Sequence, residues 1–289
     1  MKFTDYLKSR SYARRSIATI KRTLRIHDKW LQEERLQAEQ VTYRELLSFM
    51  KYCQQQGVSQ RTVQHYLGAI RHYYEYLKRE GRIESNPVAG VKVQGVRRKV
   101  LYHIFQPPEL HAIYNSYQGE RLSQRRNKVM LGLVVYQGIA TDELGRLEVG
   151  HVKLREGKIE VPGSVSREGR TLNLESHQVM DMYDYILEVR PAILKKSKQE
   201  TERLMISPEG GLVVSNFMTR LMVMVRKQNP LVVNAKQLRA SVICKWLRMY
   251  NLRQVQYLAG HRYISSTEYY LQNEMEGLQE EVNQFHPLG

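Results

Sequence analysis

Residues 59–80, SQRTVQHYLGAIRHYYEYLKRE, set Val63, Leu67, Ile70, Tyr74 and Leu77 at steps of four and three. That spacing lines one face of a helix with apolar side chains and puts Ser59 where an N-cap belongs. The opposite side carries Arg61, His65, Arg71, His72 and Arg79. Segments 11–34 and 43–56 repeat the helical spacing, with polar breaks near EQVT and QQQGVS. Residues 1–88 thus predict a small helical bundle with basic exposed faces. SNPVAG, residues 85–90, ends it, because Asn86-Pro87 and Gly90 cannot continue a helix. Residues 89–104 follow as a basic linker, with Arg97, Arg98 and Lys99 clustered and no apolar period.

From residue 105 the pattern changes. PPELHAIYNSY opens a helix at Pro108 or Glu109, and RRNKVMLGLVVYQGI reads as a strongly apolar, buried helix. The stretch DELGRLEVGHVKLREGKIEVPGSVSREGRTLNLE then predicts a short helix and strands near 151–155, 158–162 and 170–174, with Gly157, Gly163 and Gly169 at the turns. Helical spacing returns at 177–198, 213–227 and 236–250. The expected fold class is mainly α: an N-terminal helical bundle, then a mainly helical domain over 105–289 holding a small three-stranded antiparallel sheet.

Composition narrows the function. MKFTDYLKSR is charged throughout, unlike a signal peptide, and no apolar run reaches the roughly 18–20 residues that span a bilayer. A soluble intracellular protein without a membrane partner is expected. Cys53 and Cys244 have no metal-ligand spacing and read as buried thiols. The net charge of +16 is uneven, with 21 basic and 9 acidic residues in the first hundred against 24 and 20 afterwards. Basic residues interleaved with Tyr, Gln and His over several helices suit DNA better than a lipid surface, and a basic linker can lie along a phosphate backbone.

Candidate chemistry gathers near the C-terminus, where LAGHRYISSTEYYLQ puts a histidine behind a glycine and then two adjacent tyrosines. The bundle closing in EGRIESNP, the helix and strands after YQGIATDEL, AKQLRAS, and GHRYISSTEYY occur in that order. Together they resemble the tyrosine recombinase/integrase family of DNA strand-exchange enzymes, from about residue 11 to 280. The resemblance implies that Tyr270, nine residues after His261, is the nucleophile rather than Tyr269. It also implies that Arg239 and His261 bind the scissile phosphate. A tyrosine hydroxyl, pKa about 10, needs such cations and donors to attack a phosphodiester at neutral pH. Attack would form a 3′-phosphotyrosyl bond and release a 5′-hydroxyl, with neither metal nor ATP; the sequence offers no carboxylate cluster for magnesium. Double-stranded DNA at specific sites and a DNA-bound tetramer are the implied partners, in a bacterial cytoplasm at the nucleoid.

Three positions depart from the family pattern. Lys236 stands where the family has histidine, keeping a charge but losing an imidazole that can accept a proton near neutrality. Ala140 stands where its first arginine belongs, and losing one pre-organised phosphate donor costs on the order of 10²- to 10³-fold in rate. Arg146, six residues on, lies about 240° around a helix and cannot simply replace it. The hairpin lysine that protonates the leaving oxygen aligns with Val165; Arg167 and Arg170 are nearby cations, and Lys158 is a further candidate. Either arginine could contact phosphate, but an arginine is a poor proton donor.

Met275, Leu278, Val282 and Phe285 form an apolar stripe beyond the nucleophile, which would pack on its own domain or on a neighbouring subunit. The chain starts almost directly with the bundle, which leads to the expectation of an integrase, invertase or resolvase without an arm-binding domain. A rival parse takes WLRMYNLRQVQYLAGHRYISSTEYY as a helix-turn-helix, giving a sequence-specific DNA-binding regulator with impaired catalysis. An RNA-binding reading lacks any sheet bearing aromatic stacking residues.

Overall fold

A computed structural model describes residues 2–94, 103–198 and 200–271. The chain divides into two compact units, Met1–Lys99 and Val100–Gly289. The first is all helical: α1 (Phe3–Ser9), α2 (Arg14–Glu33), α3 (Tyr43–Gln55) and α4 (Gln60–Arg79). Ser59 caps α4 by accepting the Thr62 N–H at 3.3 Å, and Thr42 with Glu45 forms a capping box at the start of α3. Val63, Leu67, Ile70, Tyr74 and Leu77 are all buried, and α2 packs along α4. Helix α1 has no counterpart in the sequence reading, since seven residues hold too few turns for a period to register; Tyr6 and Leu7 anchor it.

The chain after α4 folds back onto it. Asn86 donates to the Arg71 carbonyl at 3.0 Å and its Oδ1 accepts the Val88 N–H at 3.0 Å. Arg71 Nη2 donates in turn to the carbonyls of Val88 and Val91, at 3.3 and 3.4 Å. Val88 and Val91 are both buried in the bundle core, so packed chain continues past residue 88. Of the basic side chains on α4, Arg61 and His65 are exposed. His72 is half-buried and shares a 3.1 Å hydrogen bond with the Tyr12 hydroxyl. Arg97, Arg98 and Lys99 lie outside the described residues, as does the stripe from Met275 to Phe285.

His27 sits fully buried among Trp30, Phe49 and Tyr74, and neither ring nitrogen has a partner among the described residues. Burial pushes its pKa down to about 4. The unfolded chain, with histidine near 6.5, therefore binds a proton that the bundle refuses. Stability should be full above pH 6.5 and fall as pH drops from there towards 4. Thermal unfolding of His27→Phe across that range should lose part of the dependence; an unchanged slope would remove His27 from the account.

In the second unit α5 (Pro107–Ser116) and the largely buried α6 (Leu122–Val135) lead to the four-residue α7 (Thr141–Leu144). Strands β1 (Val152–Lys153), β2 (Lys158–Val161) and β3 (Arg170–Asn173) form an antiparallel sheet in the order β1-β2-β3. The first strand is shorter than its predicted span because a 3-10 turn at Leu154–Glu156 interrupts it. Register pairs Ile159 with Leu172 and Val161 with Arg170, and these four side chains share the buried face. Gly163 and Gly169 approach across the base of the hairpin so closely that a Cβ on Gly163 would lie 3.0 Å from the Gly169 nitrogen.

Residues 176–197 form α8 (Ser176–Asp184), a π-turn at Tyr185–Val189 and α9 (Arg190–Ser197), where the sequence predicts one regular helix. Pro191 lacks the N–H that an α-turn would aim four residues back, and the widened turn takes up that loss. Helices α10 (Val214–Gln228), α11 (Ala235–Met249) and α12 (Leu252–Ala259) follow, and residues 265–271 are helical again. Cys53 and Cys244 are buried thiols outside any disulfide. Among the described residues no helix is long and apolar enough to cross a membrane.

Candidate active site

The site is organised around one buried carboxylate. Glu143, on α7, is 0 % exposed. Its Oε2 accepts the Ala140 N–H at 2.8 Å, which satisfies a donor at the start of this short helix. Arg170 points inward because β3 alternates and its other inward side chains belong to the core. Its guanidinium takes both Glu143 oxygens, at 2.6 and 3.1 Å. A buried cation of this kind is tolerated only when paired and hydrogen-bonded. Burial alone would push the Glu143 carboxyl up. Hydrogen bonding and charge from Arg170, then charge from Arg239 and the Ala140 N–H, outweigh it and hold the group below the usual carboxylate range.

Arg239 lies in the second turn of α11, whose start is capped by Asn234 accepting the Gln237 N–H at 3.0 Å. Its Nη1 donates to the Gly138 carbonyl and stands 3.5 Å from Glu143 Oε2; Nη2 donates to the Ala259 carbonyl at 2.6 Å. Gly138 has φ +55°, a conformation that suits glycine and turns its carbonyl to the guanidinium. Burial pushes the Arg239 pKa down to about 10 while Glu143 opposes the shift, so the side chain stays cationic at neutral pH.

Gly260 closes α12 in the left-handed region, φ +64°, and a Cβ there would collide with the Arg170 guanidinium. The turn delivers His261 beside Arg239, with Nε2 3.4 Å from Arg239 Nη2. The other nitrogen, Nδ1, meets Thr267 Oγ1 at 2.9 Å. Burial, then the charges of Arg239, Arg167 and Arg170, pushes the His261 pKa down to about 3, so the ring is neutral near pH 7. Thr267 and Tyr270, three apart in the last helical segment, share a face directed at this histidine. The Tyr270 ring stacks on His261 with centroids 5.7 Å apart and planes 13° from parallel. Tyr269 sits edge-on to Tyr270 at 77°.

The hairpin tip reaches the same place. Arg167 forms an isolated antiparallel bridge with His261, and the Glu168 N–H donates to the Gly260 carbonyl at 3.2 Å. Arg167 Nε lies 3.7 Å from Asp142 Oδ2 and 3.9 Å from Glu143 Oε1. Val165 is 90 % exposed, and Lys158 is 3.9 Å from the carboxylate of nearby Glu156. Arg146 turns to Asp142 at 3.2 Å. Lys236 is exposed on the first turn of α11, three residues before Arg239 and on the same side of the helix. The structure thus brings Tyr270, His261, Arg239 and Arg167 together. Glu143 and Thr267 were not singled out from the sequence; the available signals were an acidic residue at the third position of a helix and a threonine one turn before Tyr270. Arg170, read as a phosphate candidate, gives both terminal nitrogens to Glu143 and is buried. Among the described residues no three His, Cys, Asp or Glu side chains converge as metal ligands would.

Residues 104–276 match the model of the phage integrase family, and residues 1–81 match the phage integrase N-terminal SAM-like domain. The chain belongs to the phage integrase family. This makes it a tyrosine-type, site-specific DNA recombinase by classification. It is 28 % identical over 261 residues to the tyrosine recombinase XerC of Natranaerobius thermophilus, covering 89 % of this chain and 86 % of that protein. Identity to XerC of Oceanobacillus iheyensis is 25 % over 290 residues, or 99 % and 94 % of the two chains. The crystal structure of the XerH site-specific recombinase bound to its palindromic difH substrate superposes with a TM-score of 0.75 at 15 % identity, covering 95 % of this integrase-family chain and 81 % of XerH. At that identity the likeness concerns the fold.

Proposed function

We propose that this chain recombines DNA at specific sites by transesterification, with Tyr270 as nucleophile. The observation that carries the reading is the stack of Tyr270 on neutral His261 beside the buried cation Arg239. Tyr270 Oη attacks phosphorus, the bond to the 5′-oxygen breaks, and a 3′-phosphotyrosyl ester forms. The 5′-hydroxyl of a second strand then attacks that ester and releases the tyrosine, so phosphodiester energy is conserved without ATP or a metal. Arg239 offers a planar fork of donors to the non-bridging oxygens, and His261 steadies that fork, its Nε2 accepting from Arg239 Nη2 while Nδ1–H donates to Thr267 Oγ1. Lys236 and Arg167 are further cations of the site. The bundle grips the core DNA with Arg61, His65, Arg71 and His72, and Arg97, Arg98 and Lys99 add charge for its phosphates. Assembly into a DNA-bound tetramer and a role as an integrase, invertase or resolvase of a mobile element complete the proposal.

The second reading is a regulator that binds DNA on a recombinase scaffold. Ala140, Lys236 and Val165, each lacking the family's usual group, favour it. Covalent capture separates the two. Purified protein is mixed with fragmented DNA from its source, denatured, and tested for protein-linked DNA. The recombinase predicts an adduct that persists in Tyr269→Phe and vanishes in Tyr270→Phe. Salt-sensitive DNA binding with no adduct, while a known recombinase traps in parallel, would establish the regulator instead.

A further inference from the structure

Position 140 leaves the site one guanidinium short, and the fold indicates where another comes from. The Ala140 side chain ends at a methyl, and its N–H is spent on Glu143. Besides Arg239, three arginines stand near the start of α7 among the described residues. Arg170 has a side chain 0 % exposed and both terminal nitrogens on Glu143. Arg146 gives Nη1 to Asp142, and its Nε and Nη2 are buried away from any incoming group. Arg167 differs from both. It touches the Asp142 and Glu143 carboxylates only through Nε, at 3.7 and 3.9 Å, so neither Nη has a protein partner among the described residues. Its side chain is 23 % exposed, held by the carboxylates yet open to an incoming group.

The backbone fixes its position. The Ser164–Arg167 bridge closes the hairpin tip, with the Ser164 N–H donating to the Arg167 carbonyl at 2.8 Å. The opposite bridge, Arg167 to His261, ties that tip to the segment leading to Tyr270. An arginine rooted there and steered by two carboxylates at the head of α7 comes to the place that an arginine at 140 would serve, from the opposite chain direction.

We infer that Arg167 binds the scissile phosphate through its two Nη groups, substituting for the arginine that position 140 lacks, with Asp142 and Glu143 aiming its fork. The inference rests on the recombinase reading. A guanidinium keeps its charge throughout, so this role is electrostatic: it neutralises the non-bridging oxygens as Tyr270 adds and transfers no proton.

The test uses the full chain and a nicked duplex made from the DNA recovered by covalent capture, comparing wild type, Arg167→Ala, Arg167→Ala with Ala140→Arg, and Arg262→Ala. Arg262 is an exposed hairpin contact 3.6 Å from Glu168 and serves as the control for lost surface charge. The expected result is adduct formation slowed on the order of 10²- to 10³-fold by Arg167→Ala. Binding of the duplex in a gel shift and the melting temperature stay near wild type, and Ala140→Arg in the same chain recovers at least tenfold. Wild-type rates in Arg167→Ala overturn the inference while leaving the recombinase reading intact. So does a loss matched by weaker duplex binding or a lower melting temperature, or one shared by Arg262→Ala. No adduct from wild type defeats the recombinase reading itself.

Discussion

Arg239→Ala should slow adduct formation by on the order of 10²- to 10³-fold, the usual cost of removing one pre-organised donor from a developing oxyanion. Arg239→Lys tests what the fork contributes. An ammonium cannot reach the carbonyls of Gly138 and Ala259 and also present two parallel donors to a phosphate. It should therefore fall much closer to alanine than to wild type. The measurement is single-turnover adduct formation on saturating DNA, with duplex affinity in parallel. A defect confined to affinity, with the saturated rate intact, would mean that Arg239 orders the Gly138 and Ala259 turns and plays no part in the chemistry.

The legible and illegible parts of this molecule divide by the range of the interaction. Helix α4 could be read because every signal lies within its own twenty residues: a capping serine, five apolar positions in phase, then Asn86-Pro87. Tyr270 was separated from Tyr269 by the fixed distance to His261, and in the structure the ring three residues past Thr267 lies flat on the imidazole. Glu143 was missed because its partners sit 27 residues away on β3 and 96 away on α11, and no local pattern announces such a meeting. Yet Arg170 was not beyond reach. In RTLNL it falls in phase with Leu172 and Leu174, both buried, so alternation alone puts it on the core side and requires an anion there. Reading it as a phosphate ligand treated charge as exposure. His72 carries the same lesson in milder form: it lies on the polar side of α4, yet it is half-buried and bonded to Tyr12.

Glu143 is also where stability and activity should separate most sharply from each other. Glu143→Gln removes a charge that faces Arg170, Arg239 and Arg167 while keeping the shape of the side chain. Arg170 would remain fully buried without a counter-charge, and breaking such a pair from one side costs about 3–5 kcal/mol. Each unit holds one tryptophan, Trp30 and Trp246. Urea unfolding followed by Trp246 fluorescence in a Trp30→Phe background reports the second unit alone. The variant's midpoint should drop accordingly; a midpoint within error of its parent would mean that Arg170 finds other acceptors and that the carboxylate is not the hub described. The acid side supplies an independent check. Because the folded state holds the Glu143 carboxyl below its ordinary value of 4.5, its contribution is full above that pH and is lost as pH falls through the lower folded value. Glutamine cannot titrate, so the difference between parent and variant should be largest above pH 4.5 and shrink below it. Adduct formation by any folded fraction of Glu143→Gln should fall further than its stability explains if, as proposed, the same carboxylate aims the arginines at the phosphate.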